Sequence, residues 1–306
     1  MAFNIGADTT TGRQYLKNLM MKSFDSTDDP ALTQYKTMFK TVSSSDEYEK
    51  FGRHAGLPLS EIIADGGAIS NYDPIIGTDK DVRQKRMANG FKITSGMKKF
   101  NKWIDVAYLT KSLKRQQLES KDIEAAKLWN NLTSTTYAGA TFDGLAIAHA
   151  THTNLDASTY SNYGNAALGV GSLEDALIYH DTKVDDRNQI CPGKPNILGI
   201  HPNERFDAIE LLGSEKQPYT ADNQINSLTK DFKLEYFVYH RATSATWWVL
   251  LDKNHEDYTP IIVTTQEPDL KTTDDTAGNT RSIIVNSEQW FEYEATEVRH
   301  IYVGDT

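Results

Sequence analysis

Histidine and acidic side chains that could ligate a metal gather in the segment AHATHTNLD, residues 148–156. His149, His152 and Asp156 carry the nitrogen and oxygen ligands that transition metals take. A metal centre needs three or four converging ligands with groups that orient them, and no HExxH pattern accompanies these three. We therefore favour hydrogen bonds from these side chains to the backbone of a long ordered loop. A metal-dependent hydrolase that uses His149 and His152 stays an alternative.

Other sequence signatures of enzyme chemistry are missing. CPGKP at 191–195 lacks the G-x-x-x-x-G-K-[ST] spacing that surrounds phosphates with backbone N–H groups, so we interpret it as a turn. No G-x-S-x-G nucleophile elbow occurs. Cys191 is the single cysteine, which rules out an internal disulfide framework and a cysteine-only zinc site. We predict a protein that is not an enzyme, with no catalytic residue, no metal and no cofactor.

Charge is distributed unevenly along the 306 residues. The net charge is −10, which argues against a dedicated DNA-coating protein, because such proteins carry excess positive charge. The stretch 80–127 nevertheless holds 13 basic and five acidic residues, a local net charge of +8, so the rest of the chain carries −18. Three interpretations of this basic run stay open: an ordinary solvated face, a docking surface for an acidic neighbour that the same chain could supply, or a contact with nucleic acid.

The first hundred residues contain few signals of regular structure. Asp29 and Pro30 mark a helix start, because an Asp side chain caps free N–H groups and Pro fits the first turn. The apolar residues that follow share one helical face: Leu32, Tyr35, Met38 and Phe39. The stretch 43–59 is interpreted as a loop or a second short helix. Asn89-Gly90 predicts the turn of a β-hairpin, which has too few apolar residues to bury two faces and should project onto another surface.

The segment from Trp103 to Leu132 is the strongest helix prediction. Its two apolar stripes are out of phase, which predicts a kink near Glu119 and Ser120, with Ser120 capping the second part. Three aromatic side chains stand at core spacing, so we expect them to pack rather than to stack on bases: Trp103, Tyr108 and Trp129.

An alternation of helices and strands follows, and strands fill the last third of the chain. Ser172 predicts a helix start, 196–200 a buried strand, and Pro202 and Gly213 the two ends of another helix. Further strands are predicted at 233–240, 246–252, 260–265 and 281–303. The polar stretch 272–280 predicts a mobile hairpin tip.

Several segments follow one another in an order that a known family shares. They are AAKLWNNLTSTTYAG (125–139), FDGLAIAHATHTN (142–154), GNAALGVGSLEDAL (164–177), NILGIHPNERFDAIELLGS (196–214) and TWWVLLD (246–252). Together they resemble the major capsid proteins of tailed bacteriophages, above all the Mu-type head subunits. The second segment is similar to the family's DG-x-x-L-F-x-x-x-H, although Ile147 and Ala148 stand where the family often has aromatic and hydroxyl residues.

The resemblance implies an α+β fold, the tailed-phage major capsid fold. The implied regions are an N-terminal arm at 1–57, an extended β-hairpin loop at 58–98, a peripheral domain at 99–169 and 266–306 with the long helix as its spine, and an axial α/β domain at 170–265. It also implies a subunit that buries much of its surface on assembly, as pentamers and hexamers of an icosahedral shell around double-stranded DNA.

Two groups of basic residues acquire roles from the resemblance. The hairpin group is expected to dock on acidic surface of an adjacent copy: Lys80, Arg83, Lys85, Arg86 and Lys92. The helix group is expected to face packaged DNA, with non-specific contacts: Lys111, Lys114, Arg115 and Lys121.

The resemblance also bears on partners, location and alternatives. Portal, scaffolding or decoration proteins are implied partners. The N-terminus lacks the apolar core of a signal peptide and no long apolar run occurs, so we expect no membrane partner, assembly in the host bacterial cytoplasm and a final location in the virion. An encapsulin-like compartment shell is the alternative within the same fold, and a head-decoration or tail protein is a further one.

Overall fold

Two four-stranded sheets and one 27-residue helix organise the fold. A computed structural model describes residues 10–27, 29–100, 102–135, 141–216, 225–228, 232–274 and 282–304. The helices are α1 Thr10–Asp25, α2 Tyr35–Met38, α3 Ser95–Lys99, α4 Trp103–Trp129, α5 Val170–Thr182 and α6 Arg205–Gly213, with 3-10 turns at Pro30–Leu32 and Pro202–Glu204.

Twelve strands are present in the described ranges. They are β1 Lys40–Ser43, β2 Tyr48–Ala55, β3 Ile75–Arg83, β4 Lys85–Ile93, β5 His152–Thr153, β6 Thr159–Tyr160, β7 Ile197–Ile200, β8 Glu235–Val238, β9 Trp248–Leu251, β10 Pro260–Asp274, β11 Ile283–Ala295 and β12 Ile301–Val303. The long sheet has the order β1-β10-β11-β4, and the second sheet has the order β12-β9-β7-β8. Strands β2 and β3 form a separate antiparallel hairpin.

Helix α4 lies along the long sheet without a break. Its first half packs Val106 and Leu113 with α1 and the end of the sheet, whereas Leu128 and Trp129 near its C-terminus enter the central core. The two stripes are out of phase because the packing partners change along the helix. The helix continues through Glu119 and Ser120, so the prediction that Ser120 caps a second part is wrong. No described helix combines the length and the apolar character needed to cross a membrane.

The central core joins the end of α4 to both sheets. The Trp129 and Trp247 rings meet edge to face with centroids 6.5 Å apart, and the Trp247 indole N–H donates to the Trp129 carbonyl at 3.0 Å. The expectation that Trp129 packs is confirmed. Tyr108 is exposed instead, and the Trp103 side chain lies outside the described residues.

The α/β region follows its sequence signals closely. All four residues of β7 are buried, as a short apolar run predicts. Pro202 opens a 3-10 turn that leads into α6, which ends at Gly213. Helix α5 begins at Val170, two residues before the predicted start at Ser172. Ser172 lies in the first turn, where its hydroxyl accepts from the Gly169 N–H at 2.9 Å. In the predicted polar tip, residues 275–280 lie outside the described residues.

The N-terminal region contains more regular structure than the sequence predicted. Asp29 accepts from the Ala31 N–H as a helix cap, but the helix that follows divides into a 3-10 turn and the four-residue α2. Helix α1 was missed, although Leu16, Met20 and Phe24 have helical spacing and are buried. Within the stretch 43–59, which was interpreted as a loop or a second short helix, Tyr48–Ala55 form β2.

The predicted hairpin turn at Asn89-Gly90 is wrong. Both residues lie inside β4, which pairs with β11 without interruption from Lys85 to Ile93. A Cβ atom at position 90 would lie 2.7 Å from the Val285 carbonyl oxygen, so glycine is needed there for a close approach to β11 and not for a turn. The hairpin that does form is β2 with β3, and residues 56–74 connect its strands.

Candidate assembly surfaces

The basic residues predicted for a projecting hairpin lie in β3 and β4. Three of them pair with glutamates of β11: Lys80 Nζ with Glu294 at 3.0 Å, Lys85 Nζ with Glu292 at 2.5 Å, and Arg86 with Glu288 at 2.6 Å. Arg83 pairs with Glu47 at 2.5 Å, and Lys92 is exposed.

The acidic partners of these pairs belong to the same chain. A projecting basic hairpin at 58–98 is therefore a wrong description of this surface. Lys85 and Arg83 remain mostly exposed at the side chain, at 80% and 76%.

The four residues predicted to face DNA divide into two kinds. Lys111 and Arg115 are exposed on α4, and Lys114 is half-buried with its Nζ 5.1 Å from the centre of the Phe24 ring. Lys121 is fully buried, and its Nζ lies 3.1 Å from Thr264 Oγ1 and 3.2 Å from a Glu267 oxygen. Burial lowers the pKa of Lys121. Lys121 as a DNA-facing residue is therefore wrong, because β10 covers it.

The segment that does project is residues 56–74, which we call the tip. It joins β2 to β3 and has no helix or strand of its own. Its apolar side chains are exposed, and Ile62 is fully so. A cavity of about 350 Å³ opens within the tip, lined partly by Leu57, Leu59, Ile63 and Ile69. Isolated surface leucines are ordinary, but several together in one loop indicate a contact site.

The tip changes direction at a glycine pair. Gly66 has φ +81°, a conformation that side chains disfavour, and the Gly67 N–H donates to the Ala64 carbonyl at 2.8 Å. The acidic residues of the tip are Glu61, Asp65 and Asp73, and it has no basic residue. Exposed apolar residues around Gly-Gly in an acidic segment were the sequence signal that could have located this surface.

A buried charged cluster, which we call the root, holds the base of the hairpin. Arg53 of β2 donates two hydrogen bonds to Asp186, from Nη2 at 2.6 Å and from Nε at 3.1 Å, and Arg299 donates to the same carboxylate. Arg299 also donates to the Asn154 amide oxygen at 2.9 Å. Burial alone would raise the pKa of Asp186, but the two guanidinium groups hold it below its ordinary value.

The root also holds the two ends of the tip. The Arg187 side chain donates to the Gly56 carbonyl and to the Asp73 carbonyl, the latter at 3.4 Å. On β3, the Thr78 hydroxyl donates to the Phe142 carbonyl at 2.9 Å. These contacts join the hairpin to the body of the subunit up to the point where the tip begins.

The side chains weighed as metal ligands bond to their own loop, as the sequence predicted. His152 is fully buried, with Nδ1 2.8 Å from an Asp143 oxygen and Nε2 3.2 Å from the Ile147 carbonyl, so neither ring nitrogen is left for a metal. His149 Nδ1 accepts from the Thr151 N–H at 3.1 Å, and Asp156 accepts from Ser158. The hydrogen bond from His152 helps to hold the pKa of Asp143 below its ordinary value against the opposing effect of burial.

A second group of possible metal ligands, His255, Asp257 and His300, brings its ligand atoms within 4.8 Å of one another. The two imidazole rings stack with centroids 3.9 Å apart and planes 21° apart, so their in-plane lone pairs do not converge on one point. Lys183 Nζ lies 2.7 Å from His300 Nδ1, where it occupies a ligand position with a cationic group. The geometry therefore fits a stacked polar contact better than a metal centre.

Comparison with solved structures defines the class of the fold. The procapsid of bacteriophage JBD30 has a TM-score of 0.56 at 12% identity, over 97% of this chain and 76% of that one. A chain of Mycobacterium phage Adephagia has a TM-score of 0.54 at 13% identity, over 90% of both chains. The holo-SrpI encapsulin of Synechococcus elongatus PCC 7942 gives 0.55 at 7% identity, over 91% of this chain and 89% of that one. The fold is thus one that phage capsid and encapsulin chains share.

Sequence comparison then identifies the family. Comparison with curated proteins gives no match. The profile of the phage capsid protein family matches residues 83–304, most of the chain. The chain therefore belongs to the phage capsid protein family and is a structural protein of a capsid shell. The α+β capsid fold expected from the resemblance is confirmed.

Proposed function

We propose that copies of this chain self-assemble into the icosahedral shell that encloses the double-stranded DNA genome of a tailed bacteriophage. The observation that carries the proposal is the capsid-family match over 83–304. The alignment of 97% of the chain with a phage procapsid supports it. Assembly takes place in the cytoplasm of the host bacterium, and portal, scaffolding or decoration proteins complete the particle.

Each region expected from the resemblance makes a different set of contacts during assembly. The peripheral domain, 99–169 and 266–306, contains α4 and most of the long sheet. The axial domain, 170–265, meets its copies in pentamers and hexamers, and the exposed Phe206 and Ile209 of α6 support a contact there. The arm, 1–57, and the extended loop, 58–98, contribute further contacts; the structure supports a loop based on β2 and β3, with 56–74 at its end.

Exposed basic residues make electrostatic contacts with packaged DNA and with neighbouring copies. Lys111, Lys114 and Arg115 of α4, with the exposed Lys17 of α1, meet packaged DNA through its phosphates, in contacts that added salt weakens. The exposed Lys85 and Arg83 remain candidates for contact with a neighbouring copy, with Lys80, Arg86 and Lys92 beside them in the chain. Their glutamate partners within the chain reduce the charge that they offer to a neighbour.

Expression of the chain in bacteria followed by negative-stain electron microscopy tests the proposal. We expect uniform closed shells or rings, with the chain alone or with co-expressed scaffold. A monodisperse monomer under both conditions, at concentrations where capsid subunits assemble, would contradict it.

An encapsulin-like compartment is the second candidate, because the SrpI encapsulin has the same fold over 91% of this chain. The two candidate functions differ in what the assembled particle encloses. Particles purified from phage-producing cells should hold double-stranded DNA, whereas a compartment should hold a protein cargo. The capsid-family match favours the phage shell.

A further inference from the structure

We propose that Lys183 and His300 form a proton-operated latch, which holds the hairpin of β2 and β3 to the body of the subunit and releases it in acid. Lys183 Nζ lies 2.7 Å from His300 Nδ1, and both side chains are buried. Lys183 follows the last residue of α5, and His300 lies between β11 and β12. The latch belongs to the unassembled subunit, so this inference goes beyond the proposed shell function and does not depend on it.

The hairpin makes several of its contacts with the body through residues 183–193, which we call the α5 loop. Asp186 of this loop accepts from Arg53 of β2, and the Arg187 side chain donates to backbone carbonyls at both ends of the tip. The position of the α5 loop therefore helps to set the direction in which the hairpin leaves the body.

Two neighbouring contacts tie the α5 loop to the chain before β12. Asp186 accepts from Arg299, and three residues earlier in the loop Lys183 meets His300. Against the effect of burial, the two guanidinium groups of the root hold the pKa of Asp186 below its ordinary value, so this ion pair persists in mild acid. The contact between Lys183 and His300 is the one that acid can reach.

The pair has room for one positive charge but not for two. His300 Nδ1 accepts a hydrogen bond from the Lys183 ammonium only while the imidazole is neutral. With the proton on the imidazole instead, His300 donates to a neutral Lys183, and the total charge is the same. One more proton makes both groups cationic donors, which repel each other at this distance and form no hydrogen bond.

The surroundings of the pair oppose a second proton. The His255 ring stacks on His300 with centroids 3.9 Å apart. Burial, with Lys183 and His255 beside it, lowers the pKa of His300 to about 2, and burial also lowers the pKa of Lys183. The titratable and charged groups that face the pair are His180, Cys191, Asp252, His255, Asp257, Glu297 and Arg299.

The acidic members of this group are engaged elsewhere or exposed. Asp252 accepts from the Lys194 N–H at 3.0 Å. Glu297 lies 3.7 Å from Arg299 Nε. The Asp257 side chain is 69% exposed, so solvent screens its charge. A second proton on the pair therefore lacks a buried counter-ion of its own.

A cavity of about 240 Å³ beside β2 provides the space for opening, and both Lys183 and His300 line part of it. The released side chains can be hydrated there without unfolding of the core. In the open form His300 titrates near its ordinary pKa of about 6.5, whereas the closed form keeps it neutral. Each pH unit below about 6.5 therefore raises the ratio of open to closed subunits about tenfold.

Distance measurements on the unassembled subunit test the latch. In a Cys191→Ser background, nitroxide labels at the exposed positions Ile76→Cys of β3 and Arg115→Cys of α4 report the position of the hairpin by double electron–electron resonance. We expect one narrow distance distribution at pH 7.5 and a second, broader one that grows as pH falls to 5.5. A distribution that stays single, or that changes only together with global unfolding by near-ultraviolet circular dichroism, would overturn the proposal.

His300→Asn is the matched variant. Its amide oxygen can accept from Lys183 as Nδ1 does, but it binds no proton, so the narrow distribution should persist at pH 5.5. His54→Asn, at an exposed position of β2, is the control and should respond as the unmodified chain does. An unchanged response in His300→Asn would overturn the latch, because another group would then be the sensor.

Amide hydrogen exchange gives a second measurement, on the chain with Cys191 in place. After correction for the intrinsic rate at each pH, exchange in the α5 loop and β2 should rise about tenfold between pH 6.5 and pH 5.5, while β9 stays protected. The rise should be absent in His300→Asn. Equal exchange at both pH values in the unmodified chain, or an equal rise in the variant, would overturn the proposal.

Discussion

The root and the tip of the same hairpin differ in what they bury: the root buries charged side chains, and the tip leaves apolar side chains exposed. At the root, Arg53 and Arg299 are buried against one carboxylate, Asp186, and each guanidinium also donates to a further oxygen. At the tip, apolar side chains such as Leu59 and Ile62 are exposed to solvent. Both guanidinium groups of the root have a counter-ion inside the chain, whereas the tip's apolar side chains stay exposed.

This difference separates what a single chain determines from what assembly adds. Buried ion pairs contribute little net stability, but they require a defined geometry, so the root sets the direction in which the hairpin leaves the body. Exposed apolar side chains gain free energy only when another surface removes them from water. A root with defined geometry and a tip with exposed apolar side chains suit a subunit whose hairpin makes its last contacts on assembly.

Acid should produce the largest effect, and it should act on the body of the subunit rather than on the tip. Burial lowers the pKa of His180 to about 3 and, with the Lys183 ammonium beside it, that of His300 to about 2. Below a pH of about 6.5 both histidines are protonated in the unfolded chain but stay neutral in the folded chain, so the free energy of unfolding falls as pH falls. Two such groups cost about 5 kcal/mol by about pH 4.5. Urea unfolding of the unassembled subunit between neutral pH and about pH 4.5 measures this loss.

Replacing one histidine identifies the source of the acid sensitivity. His180 is fully buried beside Ala176 and Leu177 of α5, so His180→Leu should fold and should roughly halve the pH dependence. His54→Ala, at an exposed position on β2, is the control and should leave the pH dependence unchanged. An unchanged slope in His180→Leu would assign the acid sensitivity to other groups.

Removal of the shared carboxylate at the root should have the next largest effect. Asp186→Asn keeps the shape of the side chain but leaves Arg53 and Arg299 buried without their counter-ion, at a cost of about 3–5 kcal/mol. Urea unfolding at neutral pH measures this loss. The control is Glu47→Gln, which removes the partner of the exposed Arg83 and should cost less than about 1 kcal/mol. Equal losses of stability in the two variants would contradict the conclusion that the buried pairs of the root matter more than an exposed pair.

Charge reversal at the sheet edge should have a smaller effect. Lys85→Glu with Arg86→Glu places like charges beside Glu292 and Glu288 and should lower stability by about 1 kcal/mol, because the two basic side chains are mostly exposed. Lys194→Glu, at an exposed position outside the sheets, is the control. Urea unfolding measures the stability, and salt titration of assembly measures the role between copies. Shells with normal salt sensitivity would remove Lys85 and Arg86 from the proposed interface.

Local signals in the sequence were sufficient to predict the α/β region. The apolar run of β7 and the turn at Pro202 both depend on neighbours within a few residues, and both are in the structure. The family was also predictable, because it depends on the order of such local segments.

Contacts between distant segments could not be predicted in the same way. Gly90 has the sequence context of a turn, but its role is set by Asn286 and Val285 of β11, nearly two hundred residues away. Lys121 belongs by sequence to the same basic run as Lys111, and only Thr264 and Glu267 of β10 make it a buried residue. Counting charges along a chain cannot reveal which of them the fold will cover.

The smallest effect on stability is expected at the tip, and it provides the sharpest test of the comparison. Ile62→Ala should change the stability of the unassembled subunit by less than about 0.5 kcal/mol, because the side chain touches nothing that folding buries. Val82→Ala, in β3 of the same hairpin, should cost about 2 kcal/mol, because Val82 is buried against Ile261 and Val263. Urea unfolding measures both, and light scattering measures assembly, where only Ile62→Ala should cause a loss out of proportion to its stability. If Ile62→Ala destabilises the subunit as much as Val82→Ala does, the tip packs on its own chain and the contrast between root and tip disappears.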